Sequence, residues 1–234
     1  GDHEGTAYLV MRFVGGYDVR TLVRRDGPQD PVRAVKIAAQ VAAALDAIHA
    51  SGFVHRDVKP ANVLLGPSDH VYLSDFGLAK RALSLGGTTK TGHWVGTLDY
   101  VSPEQIRGEG VDARSDVYAL GGVLHFLLTG KVPYPRTGDE AKLWAHISDP
   151  PPQPSAVIPS LPPALDAVVA RGMAKDAAER FQSAGDLAAA ASAAMEGREA
   201  RERGAVAAGA AASGVEEAET ITGGAPRGLR PHAA

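Results

Sequence analysis

The chain has 234 residues and is 44% hydrophobic, which is enough apolar material for one sizeable core and not clearly for two. Its formal net charge of -3 gives no reason to expect a nucleic acid or an anionic membrane as a partner. It contains no cysteine, which excludes a disulfide framework and thiol chemistry and is compatible with the cytosol.

The first predicted elements are a strand and a long helix. A short apolar strand covers Ala7–Val14 and ends at Gly15-Gly16. An amphipathic helix follows over Pro31–Ala50, with Asp30 as its N-cap and Gly52 after its end. Its apolar residues recur at three- and four-residue spacing, namely Val32, Val35, Ala39, Ala42 and Ala43. His49, near the end of this helix, is interpreted as a packed, hydrogen-bonded core histidine.

The next stretch carries several chemically specific residues in a fixed order. It reads HRDVKPANVLL and then SDFGLAK, so the order is His55-Arg56-Asp57, Lys59, Asn62 and Asp75-Phe76-Gly77. This stretch combines a candidate base, a cation and two oxygen ligands for a metal, the set that phosphoryl transfer from ATP requires. Between them, Val63–Leu65 and Val71–Leu73 are predicted to form a hairpin around the turn GPSDH.

The second half of the chain is predicted to be mostly helical. Ser115–Leu128 is apolar nearly all round, with Ser115 as its cap and Gly130 after its end, which indicates a buried central helix containing His125 as a satisfied core residue. An extended proline-rich connector then leads to a helix over Leu165–Ala174. Ser183, with Asp186 three residues later, is predicted to cap a last helix that ends near Gly197.

The order of these motifs resembles the eukaryotic-like Ser/Thr protein kinases of bacteria, from residue 1 to about residue 196. Gly96-Thr97 and Ser102-Pro103-Glu104 fall where that family ends its activation segment. The resemblance implies a mainly α fold: a protein-kinase C-lobe, helical with a short β-hairpin, together with the hinge strand. No G-x-G-x-x-G-x-V occurs in the sequence, so the chain reads as a kinase without most of its N-lobe, lacking the sheet and the Gly-rich loop.

Three domains are expected. Residues 1–16 are the last N-lobe strand and the hinge, and residues 17–197 are the kinase C-lobe. Residues 198–234 are rich in Ala, Gly, Glu and Arg and contain no aromatic residue. Such a composition cannot bury enough apolar surface to offset the entropy of ordering, so this part is predicted to be a linker or a disordered tail.

The resemblance implies a role for each site residue. Asp57 would orient and deprotonate the acceptor hydroxyl, Lys59 would place a positive charge near the transferring phosphoryl group, and Thr97 would bridge the two. The implied ligands are ATP and Mg²⁺. Asn62 and Asp75 are hard oxygen ligands suited to Mg²⁺, and Gly77 permits the turn that aims Asp75 at it. The adenine would contact the gatekeeper Met11, the main chain of Arg12 and Val14, and a floor formed by Leu64.

Supporting and regulatory residues follow from the same resemblance. Asp116 would hold the backbone of the catalytic loop, or simply favour the N-terminus of its helix as a charge. Glu104 and Arg180 should form a buried pair. Two activation-loop threonines, Thr89 and Thr91, are predicted phosphorylation sites, and Arg56 is the guanidinium that would bind their phosphates. A flexible polar loop with incidental threonines is the alternative.

The predicted function is a serine/threonine protein kinase, represented by an N-terminally truncated fragment of weak or no activity. The alternative is a non-catalytic interaction module. A small-molecule phosphotransferase is less favoured, because the segment from Gly96 to Glu104 supplies a platform for a peptide substrate. The expected partners are protein substrates and a second kinase copy for trans-autophosphorylation. No apolar run approaches the roughly 20 residues that span a bilayer, and no signal peptide is evident, so the expected location is cytoplasmic, including the cytoplasmic part of a membrane-anchored kinase.

Overall fold

The computed structural model describes residues 1–3, 5–8, 10, 13–75 and 98–197. The chain divides into two units, Gly1–Met195 and Glu196–Ala234, and the second lies almost wholly outside the described residues. Within the described residues there are eight α-helices: α1 Val19–Asp26, α2 Pro31–Ala50, α3 Pro103–Arg107, α4 Ala113–Thr129, α5 Asp139–Ser148, α6 Pro154–Val157, α7 Ala164–Gly172 and α8 184–197. The mainly helical prediction is confirmed.

The strands form two small antiparallel sheets. In the first, β1 (Asp2–His3) pairs with β2 (Thr6–Ala7). In the second, β4 (Val63–Leu65) lies between β3 (Tyr17–Asp18) and β5 (Val71–Leu73). The predicted hairpin is therefore confirmed as β4 and β5. Strand β3, which was not predicted, pairs with β4 on the side opposite β5.

Helix α4 forms the centre of the core. All residues from Ser115 to Thr129 are buried, and α2 and α7 pack against this helix. A helix that is apolar on every face can be stable in water only when neighbours cover all of its faces. The prediction of a buried central helix is confirmed, but the helix begins earlier than expected. Asp112 caps its N-terminus by accepting from Arg114 N at 2.8 Å, so Ser115 lies inside the first turn.

Helix α2 has the predicted bounds and the predicted cap, but its buried face differs. The Asp30 carboxylate accepts from the main-chain N–H groups of Val32 and Arg33. Val32 and Ala43 are exposed, whereas Val35 and Ala42 are buried as expected. The buried face also contains Ala34, Ile37, Ala38, Val41 and Leu45, so it is wider than the predicted stripe and shifted away from Val32 and Ala43.

The strand predicted over Ala7–Val14 is wrong for most of the residues of this range that the structure describes. Of the residues in this range that the structure describes, only Ala7 belongs to a strand. Tyr8 exchanges two main-chain hydrogen bonds with Gly1, and no strand pairs with Val10, Phe13 or Val14. Val10 is 80% exposed and Phe13 is 90% exposed. A strand forms only against a hydrogen-bonding neighbour, so apolar composition alone was not sufficient here.

Two other boundaries also differ from the predictions. The proline-rich connector is not extended throughout, because Pro154 at the first helical position starts the single turn of α6. Helix α7 ends at Gly172 rather than Ala174. The predicted cap of the last helix is confirmed, because Ser183 Oγ accepts from Asp186 N at 3.0 Å, and the helix continues to residue 197, the last residue described.

Two of the buried histidines, His125 and His146, lie on helices of the core and carry no charge. Burial lowers the pKa of His125 to about 4, and burial together with the nearby Lys175 lowers the pKa of His146 to about 3. The Nδ1 atom of His125 has no hydrogen-bond partner among the described residues. His125 is therefore a core residue, as predicted, but its hydrogen bonds are not all made, contrary to the prediction. A proton added there would create a buried charge without a compensating acceptor.

Because these histidines are buried and neutral, we expect the protein to lose stability in mild acid. Both folded-state pKa values lie below the ordinary value of 6.5, so the unfolded chain binds more protons below that pH. Their contribution is complete above pH 6.5 and falls as the pH drops towards 4. By pH 5 each histidine should reduce the free energy of unfolding by about 2 kcal/mol. Urea denaturation at pH 7, 6 and 5 measures the loss.

A matched pair of variants separates these buried rings from other acid effects. His125→Met removes one buried titrating group and should reduce the loss between pH 7 and pH 5 by about 2 kcal/mol. His3→Gln changes an exposed histidine of β1 and should leave the loss unchanged. Equal pH dependence in His125→Met and the unchanged protein would contradict the explanation.

Candidate active site

The candidate site is built around His55–Asn62, here called the 55–62 loop, which connects α2 to β4. Asp116, in the first turn of α4, holds its beginning. The buried Asp116 carboxylate accepts from His55 N and from Arg56 N, both at 2.8 Å, and His49 Nε2 lies 2.8 Å from the same carboxylate. The geometry expected of Asp116 is present. His49 was not identified as a member of the site, because its spacing is that of any core-facing residue near the end of α2.

The backbone of the 55–62 loop contains an unfavourable conformation. Arg56 has a φ of 67°, in the left-handed region, which costs a non-glycine residue roughly 1–2 kcal/mol. Asp75 also has a positive φ, 56°. Such conformations persist only where surrounding contacts hold them, and the two hydrogen bonds to Asp116 at the start of the loop are contacts of that kind.

Asp57, Lys59 and Asn62 form one hydrogen-bonded group. Lys59 Nζ donates to Asp57 Oδ2 at 2.7 Å, and Asn62 Nδ2 donates to the carbonyl of Asp57 at 2.8 Å and to its Oδ2 at 3.1 Å. The side chains of Lys59 and Asp57 are 19% and 18% exposed. The Asp57 carboxylate is therefore oriented by two donors while it stays accessible from solvent.

The end of β5 is attached to the same loop. Ser74 N donates to Asn62 O at 2.9 Å, and His55 Nε2 lies 3.0 Å from Ser74 O. Since a carbonyl can only accept, His55 carries its proton on Nε2, and its Nδ1 accepts from Asp57 N at 3.3 Å. Burial lowers the pKa of His55 and favours this neutral form. These contacts bring Asp75, the residue after Ser74, to the edge of the group.

Asn62 and Asp75 have the chemistry that a hard cation requires. Both hydrogen bonds of the Asn62 side chain use its amide nitrogen, so its amide oxygen is left for a cation, and the exposed Asp75 adds a carboxylate. No group of three or more His, Cys, Asp or Glu suited to a metal occurs in the part of the chain that is described. Two oxygen ligands fit Mg²⁺, which is commonly bound by one or two protein groups with phosphate and water completing its shell.

The predicted adenine side of the site is only partly described. Val14 is half-buried, and Leu64 is half-buried in β4, where it pairs with Asp18. Gly16 lies close to Leu65 of β4, and a Cβ on Gly16 would meet Leu65 O at 1.9 Å. The close approach of these two segments of the chain therefore requires glycine. The other predicted residues of the adenine site, the activation loop and its turn lie outside the described residues: Met11, Arg12, Gly77, Thr89, Thr91 and Thr97.

The segment that contains α3 is fixed to the core by a buried ion pair. Arg180 donates to both carboxylate oxygens of Glu104 at 2.8 Å, and Ser115 Oγ donates to Glu104 Oε1 at 2.5 Å. The Arg180 side chain is fully buried. Burial alone would raise the pKa of Glu104, but the hydrogen bonds from Arg180 and Ser115 lower it to about 2. The pair expected between Glu104 and Arg180 is present, and it anchors α3.

The protein kinase domain family matches residues 2–186 of this chain. The chain belongs to this family. Serine/threonine-protein kinase PknD of Mycobacterium tuberculosis is 52% identical over 192 residues, which is 82% of this chain and 29% of PknD. PknH of Mycobacterium bovis is 48% identical over 191 residues, 82% of this chain and 32% of PknH. PknE of Mycobacterium tuberculosis is 46% identical over 196 residues, 83% of this chain and 34% of PknE.

The relatives confirm the resemblance to bacterial Ser/Thr protein kinases. This chain spans about a third of the length of these curated relatives. The family generally uses ATP and Mg²⁺. Among the helices that the structure describes, none has the length and apolar character needed to cross a membrane.

Proposed function

We propose that this chain is part of a serine/threonine protein kinase that transfers the γ-phosphoryl group of ATP to Ser or Thr residues of proteins. The observation that carries the proposal is the Asp57 carboxylate, which is held by Lys59 and Asn62 in a loop fixed by Asp116. The family match and the Ser/Thr kinases at 46–52% identity support it.

In this proposal Asp57 positions the acceptor hydroxyl and accepts its proton. A carboxylate paired with Lys59 is a weak base, so its larger contribution is orientation, and effective positioning can lower a barrier by about 7–11 kcal/mol. Lys59 is close enough to Asp57 to place its positive charge beside the incoming phosphoryl group. The gatekeeper Met11, the main chain of Arg12 and Val14, and Leu64 would contact the adenine.

Asn62 and Asp75 hold the metal in this proposal. Bound Mg²⁺ would neutralise charge on the phosphate oxygens as the phosphoryl group is transferred. Asn62 also keeps Asp57 oriented through its amide nitrogen, so one side chain serves both groups. The bonds from Ser74 to Asn62 keep the two ligands on neighbouring segments.

The proposal extends to regulation and to partners. Phosphates on Thr89 and Thr91 would pair with Arg56, next to Asp57, and Thr97 would bridge Asp57 and Lys59. Trans-autophosphorylation by a second copy would supply the phosphates, and the acceptors are proteins in the cytoplasm. The alternative, a non-catalytic module that binds partners through a kinase-like lobe, is favoured by one observation: Val10 and Phe13 are exposed apolar side chains.

The test compares the full-length protein with the 234-residue chain. With Mg-ATP and a generic protein substrate, the full-length protein should transfer phosphate to Ser and Thr, and EDTA should abolish the transfer. The 234-residue chain contains no Gly-rich phosphate-loop motif, so it should bind Mg-ATP weakly and show no significant transfer. Radiolabelled ATP with phosphoamino-acid analysis measures the transfer, and mass spectrometry locates phosphate on the activation loop.

Several outcomes would contradict these proposals. No transfer by the full-length protein would favour the non-catalytic module. Turnover of the 234-residue chain at about 1 s⁻¹ or more, an ordinary kinase rate, would contradict its expected inactivity. Phosphate found only outside residues 84–95 would refute Thr89 and Thr91 as the regulatory sites.

A further inference from the structure

Gln105 joins α3 to the 55–62 loop through a single side chain. Its Nε2 donates to the carbonyl of Arg56 at 3.0 Å, 49 residues earlier in the chain. Its Oε1 accepts from both N and Oγ of Ser102, at 3.1 Å each, at the start of α3. The amide thus donates at one end and accepts at the other. A side chain that only accepts cannot make both sets of contacts.

The contact falls on the peptide unit that leads directly into Asp57. The carbonyl of Arg56 and the N–H of Asp57 belong to the same planar group. Gln105 holds the carbonyl end, and His55 Nδ1 accepts from the N–H end at the longer distance of 3.3 Å. Asp116 holds the preceding peptide unit through Arg56 N. With the peptide units on both sides fixed, the left-handed φ of Arg56 is fixed as well.

Helix α3, which contains Gln105, is held in place by buried contacts. Its neighbour Glu104 is bound by Arg180 and Ser115 in the buried pair described above. Gln105 itself is half-buried, and Ser102 is fully buried. The position of α3 is therefore transmitted to the main chain at Asp57 through one hydrogen bond.

We propose that Gln105 is a positioning residue for phosphoryl transfer: its amide fixes the peptide unit between Arg56 and Asp57, and so fixes the angle at which the Asp57 carboxylate meets the acceptor hydroxyl. The inference rests on the proposed function. It assigns the coupling between α3 and the 55–62 loop to a side chain that does not touch substrate or nucleotide. Loss of the bond should lower kcat and leave ATP affinity nearly unchanged.

Gln105→Glu in the full-length protein is the direct test. Glutamate has the same shape and can still accept from Ser102, as in a capping box, but its carboxylate cannot donate to the Arg56 carbonyl. At pH 7.5 the expected result is a fall in kcat of about tenfold, less than the roughly 100-fold that a 1 Å misplacement of reacting groups can cost. The Kd for Mg-ATP should stay within about twofold, since the nucleotide is held by other residues.

The pH dependence separates positioning from general structural damage. A protonated glutamic acid can donate its O–H to the Arg56 carbonyl, so the ratio of variant kcat to wild-type kcat should rise as the pH falls towards the ordinary glutamate pKa of about 4.3. Gln182→Glu is the matched control. Gln182 Nε2 donates to main-chain carbonyls of Ala178 and Arg180, away from the 55–62 loop, so this variant loses the same kind of bond and should keep its kcat.

Hydrogen exchange tests the inference independently of activity. In Gln105→Glu, the amides of His55, Arg56 and Asp57 should exchange faster, while those of α4 should not change. If the wild-type protein transfers no phosphate, the proposed function fails, and the exchange still shows whether Gln105 fixes the loop. Unchanged exchange at these amides would overturn the inference, and so would unchanged kcat in an active protein or an equal fall in Gln182→Glu.

Discussion

Replacing Asp57 by asparagine in the full-length protein is expected to abolish phosphoryl transfer and to leave Mg-ATP binding nearly intact. The amide that replaces the carboxylate cannot accept a proton from the acceptor hydroxyl, and the variant loses the charge that pairs with Lys59 at 2.7 Å. Removing such a group should lower kcat at least about 100-fold. Asp57 is proposed to contact the acceptor rather than the nucleotide, so the two effects should separate.

Transfer rate and nucleotide affinity must be measured on the same preparation. Asp26→Asn provides a control, because Asp26 is an exposed carboxylate that pairs with its neighbour Arg25 on the surface. This variant should keep the wild-type rate. Retained turnover above a few per cent in Asp57→Asn would overturn the assignment of Asp57.

The second large effect expected is on stability, from the replacement Arg180→Met. The variant leaves the Glu104 carboxylate buried without its charged partner. Removing one member of a buried ion pair typically costs about 3–5 kcal/mol. Arg180 also donates to three main-chain carbonyls, which would lose a donor, those of Arg114, Ala174 and Lys175. The free energy of unfolding from urea denaturation at pH 7 measures the loss.

An exposed ion pair next to this one supplies the comparison. Arg114 pairs with Asp112 at 2.6 Å, and their side chains are 32% and 52% exposed. Arg114→Met should therefore cost less than about 1 kcal/mol, as surface pairs usually do. Similar urea midpoints for the two variants would show that burial of the pair between Arg180 and Glu104 does not increase its contribution to stability.

The parts of the fold that could be predicted from sequence are those determined over short distances. The helix over Pro31–Ala50 and the hairpin of β4 and β5 have caps, turns and periodicity within a few residues of their ends. The start of α4 was harder to predict, because Asp112 and Ser115 are both good capping residues. Only the tertiary structure shows that the Ser115 hydroxyl binds Glu104 instead. The strand expected over Ala7–Val14 depended on a neighbour that the local sequence does not specify.

The site residues also divide into those with contacts close in sequence, which could be predicted, and those with distant contacts. Asp57, Lys59 and Asn62 lie within six residues of one another, so their motif spacing predicted the group that the structure brings together. The contacts of Asp116 and of Arg180 span 60 and 76 residues and were predicted only through the family resemblance. Gln105 carried no signal of its own, since its hydrogen bond to the Arg56 carbonyl depends on how α3 is placed against the 55–62 loop.

The distance along the chain between Arg56 and Asp116 also affects the order of folding. The carboxylate that accepts from Arg56 N follows it by 60 residues, and Arg180 follows Glu104 by 76. At about 5–20 residues per second, a ribosome completes Arg56 roughly 3–12 s before Asp116. Closing such long loops is slow, because their entropy must be lost before any contact compensates for it. The 55–62 loop therefore reaches its final shape late in synthesis, after α2 has had ample time to form.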